Sequence, residues 1–261
     1  MTQEVRFDDG AAYERMMGVW SRIAGNAFLD WLDAPPGLRW IDIGCGNGAF
    51  TEIIIERTSP SAAEAVDPSP GQLAFARTRQ GSRLAHFQEG SAMALPFAGN
   101  SFDIAAMALV IFFVPEPAKG VAEMARVVKP GGLAAAYAWD MPGGGFPLEP
   151  IRIQMREMGI KPMGPPHPEV SSMPGLRELW AGAGFEQIET REITVQRTFA
   201  DFEEFWSISL LSPSLGAMIA KLPPDEFARL KEGTRARLSA DRDGRILASG
   251  RANAIKGRVP K

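Results

Sequence analysis

Apolar residues recur along this chain with two periods that alternate from segment to segment. Between Tyr13 and Leu32 they fall at Met16, Trp20, Ile23, Ala27, Phe28 and Trp31, at spacings of three and four. That spacing predicts an amphipathic helix, ended by Pro35-Pro36-Gly37. Trp40, Ile41 and Ile43 then form a short apolar run of strand character that stops at Gly44, Gly46 and Gly48. Ala49 to Arg57 returns to helical spacing through Phe50, Ile53, Ile54 and Arg57. The same alternation predicts strands over Ala62 to Val66, Arg83 to Gln88, a stretch opening at Ser101-Phe102-Asp103, and Leu133 to Trp139. Helices are predicted between them over Gly71 to Gln80 and Ala118 to Lys129. Strands alternating with helices point to an α/β domain built on a parallel sheet.

The pattern breaks after Asp140. Eight of the 21 prolines fall between Met141 and Gly175, with a short helix predicted inside at Ile151 to Met158. A long Pro/Gly-rich connection in a compact domain reads as a functional lid or a disordered segment. Helix resumes over Gly175 to Ala183, and Ile188, Ile193 and Val195 mark a sixth strand over Glu186 to Gln196. Phe199 to Ser239 reads as helical, and Arg245 to Val259 as a final strand.

Strand, glycine turn and helix at 39–57 make the first half of a nucleotide-binding unit. Gly44, Gly46 and Ala49 also satisfy the G-x-G-x-x-(G/A) pattern of dinucleotide enzymes, so the glycines alone do not name the ligand. Asp42 does more. A carboxylate beside the turn repels a pyrophosphate at the helix N-terminus and suits a ligand carrying a cationic amine or sulfonium. Asp67, 25 positions after Asp42 and at the tip of the second strand, is spaced to accept hydrogen bonds from ribose hydroxyls.

Composition narrows the partners. A net charge of −3 and a pI near 5.6 leave no electrostatic footprint for nucleic acid. One cysteine, Cys45, and two histidines, His86 and His167, exclude an internal disulfide and argue against a metal site. No apolar run has membrane-spanning length and the N-terminus is polar, so neither a membrane partner nor a signal peptide is expected and the cytoplasm is the expected location.

I-D-I-G-C-G-N-G at 41–48 resembles the glycine-rich first motif of class I S-adenosylmethionine-dependent methyltransferases of small-molecule type. D-P-S-P-G-Q-L, E-M-A-R-V-V-K-P-G-G and A-G-A-G-F continue the likeness, which spans roughly Tyr13 to Phe185. The resemblance implies a three-layer α/β sandwich: a mostly parallel seven-stranded sheet ending in an antiparallel hairpin, plus a helical lid. It implies one domain over 1–261, with a cofactor-covering helix in 1–36, a cofactor-binding core in 37–140, and lid insertions at 141–174 and 199–244. It implies S-adenosylmethionine as cofactor, held by Asp42, Gly44, Gly46 and Gly48, by Asp67 and Pro68 at the ribose, and by Ser91, Ala92 and Met93 at the adenine. Ser91 stands where the family often has an aspartate, which weakens that contact. Tyr13 and Trp20 on the covering helix are expected to face cofactor or substrate, and Arg22 to pair with the carboxylate of the methionine moiety.

Met107, Ala108 and Leu109, at the end of the fourth strand, are expected to border the transferred methyl group. Relatives often carry a polar residue and a histidine hereabouts; Met107 and Phe112 in their places predict an apolar reaction chamber without a histidine base. If the acceptor needs a base, Tyr13, Asp140, Glu149 and His167 are the candidates, with His167 also readable as an exposed loop residue. The acceptor is expected to be a small, partly apolar molecule. Two other readings stay open at this point: a binding protein without turnover, and a nicotinamide-dependent oxidoreductase.

Overall fold

The computed structural model describes residues 14–261. Seven strands form one sheet in the order β3-β2-β1-β4-β5-β7-β6. They are β1 (Arg39–Ile43), β2 (Ala62–Asp67), β3 (Ala85–Glu89), β4 (Phe102–Ala108), β5 (Val128–Trp139), β6 (Glu186–Phe199) and β7 (Ile246–Arg258). The strands from β3 through β5 pair parallel, whereas β7 runs antiparallel between β5 and β6. The expected sheet and its antiparallel hairpin are both present. Order reverses between β1 and β4, and a crevice outside the carboxyl ends of strands at such a switch point is where open α/β sheets take their ligands.

The centre of the sheet is buried on both faces, which explains its near-continuous apolar sequence. Ile41 and Ile43 of β1, Ala105 and Ala106 of β4 and Ala134 to Ala136 of β5 are all fully buried. Helix α1 (Val19–Leu32) follows one π-type turn at Glu14–Gly18 and packs on α2 (Ala49–Thr58) and on β6. Its Phe28 ring sits 4.8 Å from Tyr137 and 5.9 Å from Phe50, so one aromatic cluster joins both helices to β5. Burying each such ring contributes about 1.5–3 kcal/mol. Helices α3 (Pro70–Ala76) and α4 (Pro117–Val127) complete the covering of the parallel half.

Beyond β5 lie α5 (Glu149–Glu157), α6 (Met173–Gly182), α7 (Phe202–Ser209), α8 (Pro213–Ile219) and α9 (Pro224–Arg235). The single helical stretch expected over Phe199 to Ser239 is thus three helices, and Phe199 ends β6 opposite Ile246. Prolines set the breaks, since Pro213 and Pro224 each occupy a first helical position, where a missing N–H costs nothing. Helix α4 also stops earlier than expected, because Val128 already pairs with Phe102 of β4.

Candidate functional site

The chain leaves β1 through three glycines with positive φ: 74° at Gly44, 51° at Gly46 and 78° at Gly48. Gly44 and Cys45 both donate their N–H to the Val66 carbonyl, at 2.7 and 3.1 Å, which bends the turn over the end of β2. A side chain at Gly44 would press its Cβ within 2.6 Å of the Val110 methyls. At Gly46 the reason differs: a Cβ there meets nothing within 4 Å, so the backbone faces open space that a ligand can enter.

Three buried polar side chains surround this turn. Asp42 is 1 % exposed; its Oδ2 accepts a 2.6 Å bond from Thr51 Oγ1 while its Oδ1 has no partner. Burial pushes its carboxyl up to about 7, an effect the Thr51 bond opposes and the nearby Asp67 charge reinforces. The residue therefore lies beneath the turn, with one unsatisfied acceptor. Asp67 accepts from Gly46 N–H and from Ser69 N–H, each at 2.8 Å, and burial raises its carboxyl against these two bonds. Each carboxylate oxygen keeps a second acceptor position. Asn47 is buried as well, with its Oδ1 accepting from Ala49 N–H and its Nδ2 donating to Glu14. Arg79 closes this network, donating to the Asn47 carbonyl at 2.6 Å and to Glu52 and Glu14. Cys45 is buried, and burial raises its thiol well above the usual range, so it is no nucleophile here.

The Ser91–Met93 segment lies just past β3, half-buried, with Ser91 Oγ accepting from Met93 N–H at 3.2 Å. Gly90 N–H donates to the Asp67 carbonyl, which ties this segment to the end of β2. Pro68 is exposed beside Asp67.

Across the sheet end from the turn opens a small apolar chamber, with room of about 80 Å³ for the centres of water-sized molecules. Leu109, Phe112, Trp139 and Met163 line it, together with Met16 and Met17 from the turn ahead of α1. Met141, Phe146 and Arg152 come from the first expected lid segment, and Ser212, Ser214 and Leu215 from the second. Leu109 holds φ at 62°, a left-handed conformation that costs a residue other than glycine about 1–2 kcal/mol. Its N–H bond to the Tyr137 carbonyl pins that turn at the very end of β4.

Several expected site residues sit elsewhere. Met107 is fully buried and packs toward Gly120, so it does not border the chamber. Trp20 is core: its ring meets Trp139 edge-on at 6.4 Å and braces the chamber wall from behind. Arg22 lies on the outer face of α1, paired with Glu52 at 2.5 Å and Glu56 at 3.4 Å. Asp140 pairs with Arg251 at 2.7 Å and caps Gly143 N–H. His167 spends one ring nitrogen on the Pro115 carbonyl at 3.0 Å and the other on Glu169 at 3.4 Å. Glu149 pairs with Arg152 and Arg156. Tyr13 falls outside the described residues. Among the described residues that line the chamber there is no carboxylate, histidine, lysine or tyrosine, and no group of described residues could hold a metal ion. No described helix is long and apolar enough to cross a membrane.

Residues 41–136 match the protein family described as a methyltransferase domain. Over this stretch the chain is similar to methyltransferase domains, and its sheet has the class I fold. The domain holds the glycine turn, Asp42, Asp67 and Leu109, while most of the chamber wall lies outside it. The chain is 33 % identical over 115 residues to the ubiquinone/menaquinone biosynthesis C-methyltransferase of Ruegeria, covering 42 % of this chain and 46 % of that one. It is 35 % identical over 123 residues to the demethylmenaquinone methyltransferase of Renibacterium salmoninarum, covering 47 % and 48 %. The match thus spans less than half the length of these relatives. In fold, it is similar to the phosphoethanolamine N-methyltransferase 2 of Haemonchus contortus solved with S-adenosylhomocysteine. That likeness has a TM-score of 0.60 at 20 % identity and covers 98 % of this chain and 59 % of that one.

Proposed function

We propose that this protein is an S-adenosylmethionine-dependent methyltransferase acting on a small, partly apolar acceptor. The observation that carries the reading is the pairing of two unlike half-sites at one sheet edge. A polar glycine turn with an unsatisfied buried acceptor, Asp42 Oδ1, lies on one side, and a chamber walled by Leu109 and Trp139 on the other. The residues present fit the cofactor. Asp42 Oδ1 lacks a donor that a cationic amine would supply, Gly46 leaves the backbone open, and Asp67 retains acceptor positions for a ribose diol. Gly44 and Gly48 would shape the cradle, and Ser91 to Met93 with Pro68 would meet the base and ribose.

S-adenosylmethionine, when bound, supplies an electrophilic methyl group. The chain's own part is to hold the acceptor in line and keep water out, work that can lower a barrier by several kcal/mol without a catalytic proton transfer. Leu109, set rigidly at the end of β4, and Trp139, braced by Trp20, would supply the fixed walls. Segments 141–174 and 199–244 would act as the acceptor-binding lid, with 1–261 working as one domain. No chamber side chain among the described residues is suited to take a proton, so the preferred acceptor atom is one already ionised or nucleophilic without a base.

The test is thermal unfolding with S-adenosylmethionine, S-adenosylhomocysteine or NADH. At about 100 times the dissociation constant a ligand adds about 2.7 kcal/mol, and each kcal/mol moves the midpoint by about 2–4 °C at this size. Stabilisation by the first two and not by NADH is expected; stabilisation by NADH alone would transfer the site to an oxidoreductase.

A further inference from the structure

Among the described residues the chamber contains one charged side chain, and nothing in the proposed reaction uses it. Arg152 lies on α5 beside the core residue Ile151 and lines the chamber, with its side chain only 13 % exposed. A cation held in an apolar wall is costly unless its donors are met. They are met in part. Nη1 donates to the Met163 carbonyl at 2.6 Å, and Phe146 lies 5.8 Å from the guanidinium carbon. Nε comes within 3.2 Å of Glu149 Oε2 but makes no hydrogen bond there.

Charge is unbalanced as well as hydrogen bonding. Glu149 is the acid paired with Arg152, and its other oxygen is taken by Arg156, so one carboxylate serves two guanidinium groups. Outside the chamber, Arg152 and Arg156 line an open cleft with Lys161, which forms no ion pair with another described residue. Burial pulls the Arg152 guanidinium below its usual range, Glu149 opposes that and Arg156 adds to it. An incoming anion would meet this deficit.

Resting on the methyltransferase reading, we infer that the acceptor is an apolar molecule bearing a carboxylate. Arg152 holds the carboxylate, and the apolar body lies in the chamber toward Leu109 and Trp139. The basic cleft at Arg156 and Lys161 is the side from which such an anion is drawn in. A neutral quinol-like body of the same size could offer Arg152 a hydroxyl acceptor but no charge to balance the guanidinium, so the carboxylate is the group that selects the substrate.

The test uses two probes of one shape, 2-naphthoate and 2-naphthamide, titrated by calorimetry into the full chain with and without S-adenosylhomocysteine. Naphthoate is expected to bind at least about tenfold more tightly than the amide, and Arg152→Gln to erase that preference while leaving amide binding in place. Arg152→Lys should restore part of it, and also serves if the glutamine variant fails to fold. Arg235→Gln, remote from the chamber, should change neither. Equal affinity for the two probes, binding of neither, or an equal loss of both in Arg152→Gln would overturn the inference. The last result would mean that Arg152 only staples Met163. Failure of S-adenosylhomocysteine to bind would count against the methyltransferase reading, whereas the naphthoate preference is read independently of it.

Discussion

The two halves of this site are built on opposite plans. The glycine turn is made from one continuous stretch of chain, and its geometry comes from backbone: positive φ at three glycines, N–H groups tied to the Val66 carbonyl and to Asp67. The chamber is made from four separated stretches, and its geometry comes from side-chain volume. The first plan fixes ligand chemistry, since few residues can replace a glycine or an orphaned carboxylate oxygen. The second fixes only size and polarity, which many sequences satisfy. One class of cofactor with many acceptors is what such a division permits.

The sharpest way to break that contrast is Gly46→Val. Its Cβ meets no protein atom, so the cost to the fold is the left-handed φ, about 1–2 kcal/mol. Its side chain would fill the approach to the backbone, and affinity for S-adenosylhomocysteine is expected to fall by about a hundredfold or more, near 2.7 kcal/mol. Calorimetry beside a melting curve checks both. Full affinity would show that the ligand does not lie against Gly46.

Asp67→Ala comes next. The sequence alone suggests a loss of affinity with an unaffected fold, but Asp67 also accepts from Gly46 and Ser69 N–H. Leaving those donors unpaired should cost about 1–3 kcal/mol of stability in addition to roughly tenfold or more in affinity. A variant with native melting and native affinity would remove Asp67 from the site.

These two variants also mark what was legible. The turn, the two acids beside it and the alternation of strands with helices could be read because each is a local signal: spaced glycines, an acid at a strand tip, a change of apolar period. The outward placement of Arg22 in this structure is legible as well. Two helical positions turn the chain by about 200°, so with Trp20 in the core Arg22 had to face outward, where Glu52 and Glu56 meet it. The placement of Met107 away from the chamber is not. In a continuous strand it would share a face with Leu109, but β4 ends at Ala108 and the positive φ at Leu109 redirects the chain. Arg152 carried no distinguishing pattern, because a charge one step beyond a buried helix position is normally solvated.

Asp42→Asn separates stability from binding. The folded carboxyl sits near 7 against an ordinary value of 3.8, so the fold prefers the protonated form. The native state then binds more protons than the unfolded chain between those values, and stability falls as pH rises from about 4 to about 7. Asparagine keeps an acceptor for Thr51 and has no charge to bury. The variant should melt above the native protein at pH 8, close to it at pH 5, and still bind S-adenosylmethionine several-fold more weakly at pH 8. Native affinity for the cofactor should rise with pH through about 7 as Asp42 ionises beside the cationic amine. Unchanged melting at both pH values would mean that Asp42 is not held in an elevated state.

The smallest effect is expected at His167, and it probes whether the chamber is chemically passive. Both ring nitrogens already have partners, the Pro115 carbonyl and Glu169, and the residue is not part of the chamber wall. A general base removed from a reaction costs about 10²–10⁴ in rate. His167→Gln can keep a side-chain donor toward the Pro115 carbonyl, so turnover on any accepted carboxylate should change by less than about threefold. A hundredfold loss would mean that the 165–170 loop moves to bring the ring over the acceptor. The chamber would then supply proton transfer, and the division between a half that chooses the chemistry and a half that only chooses the shape would fail.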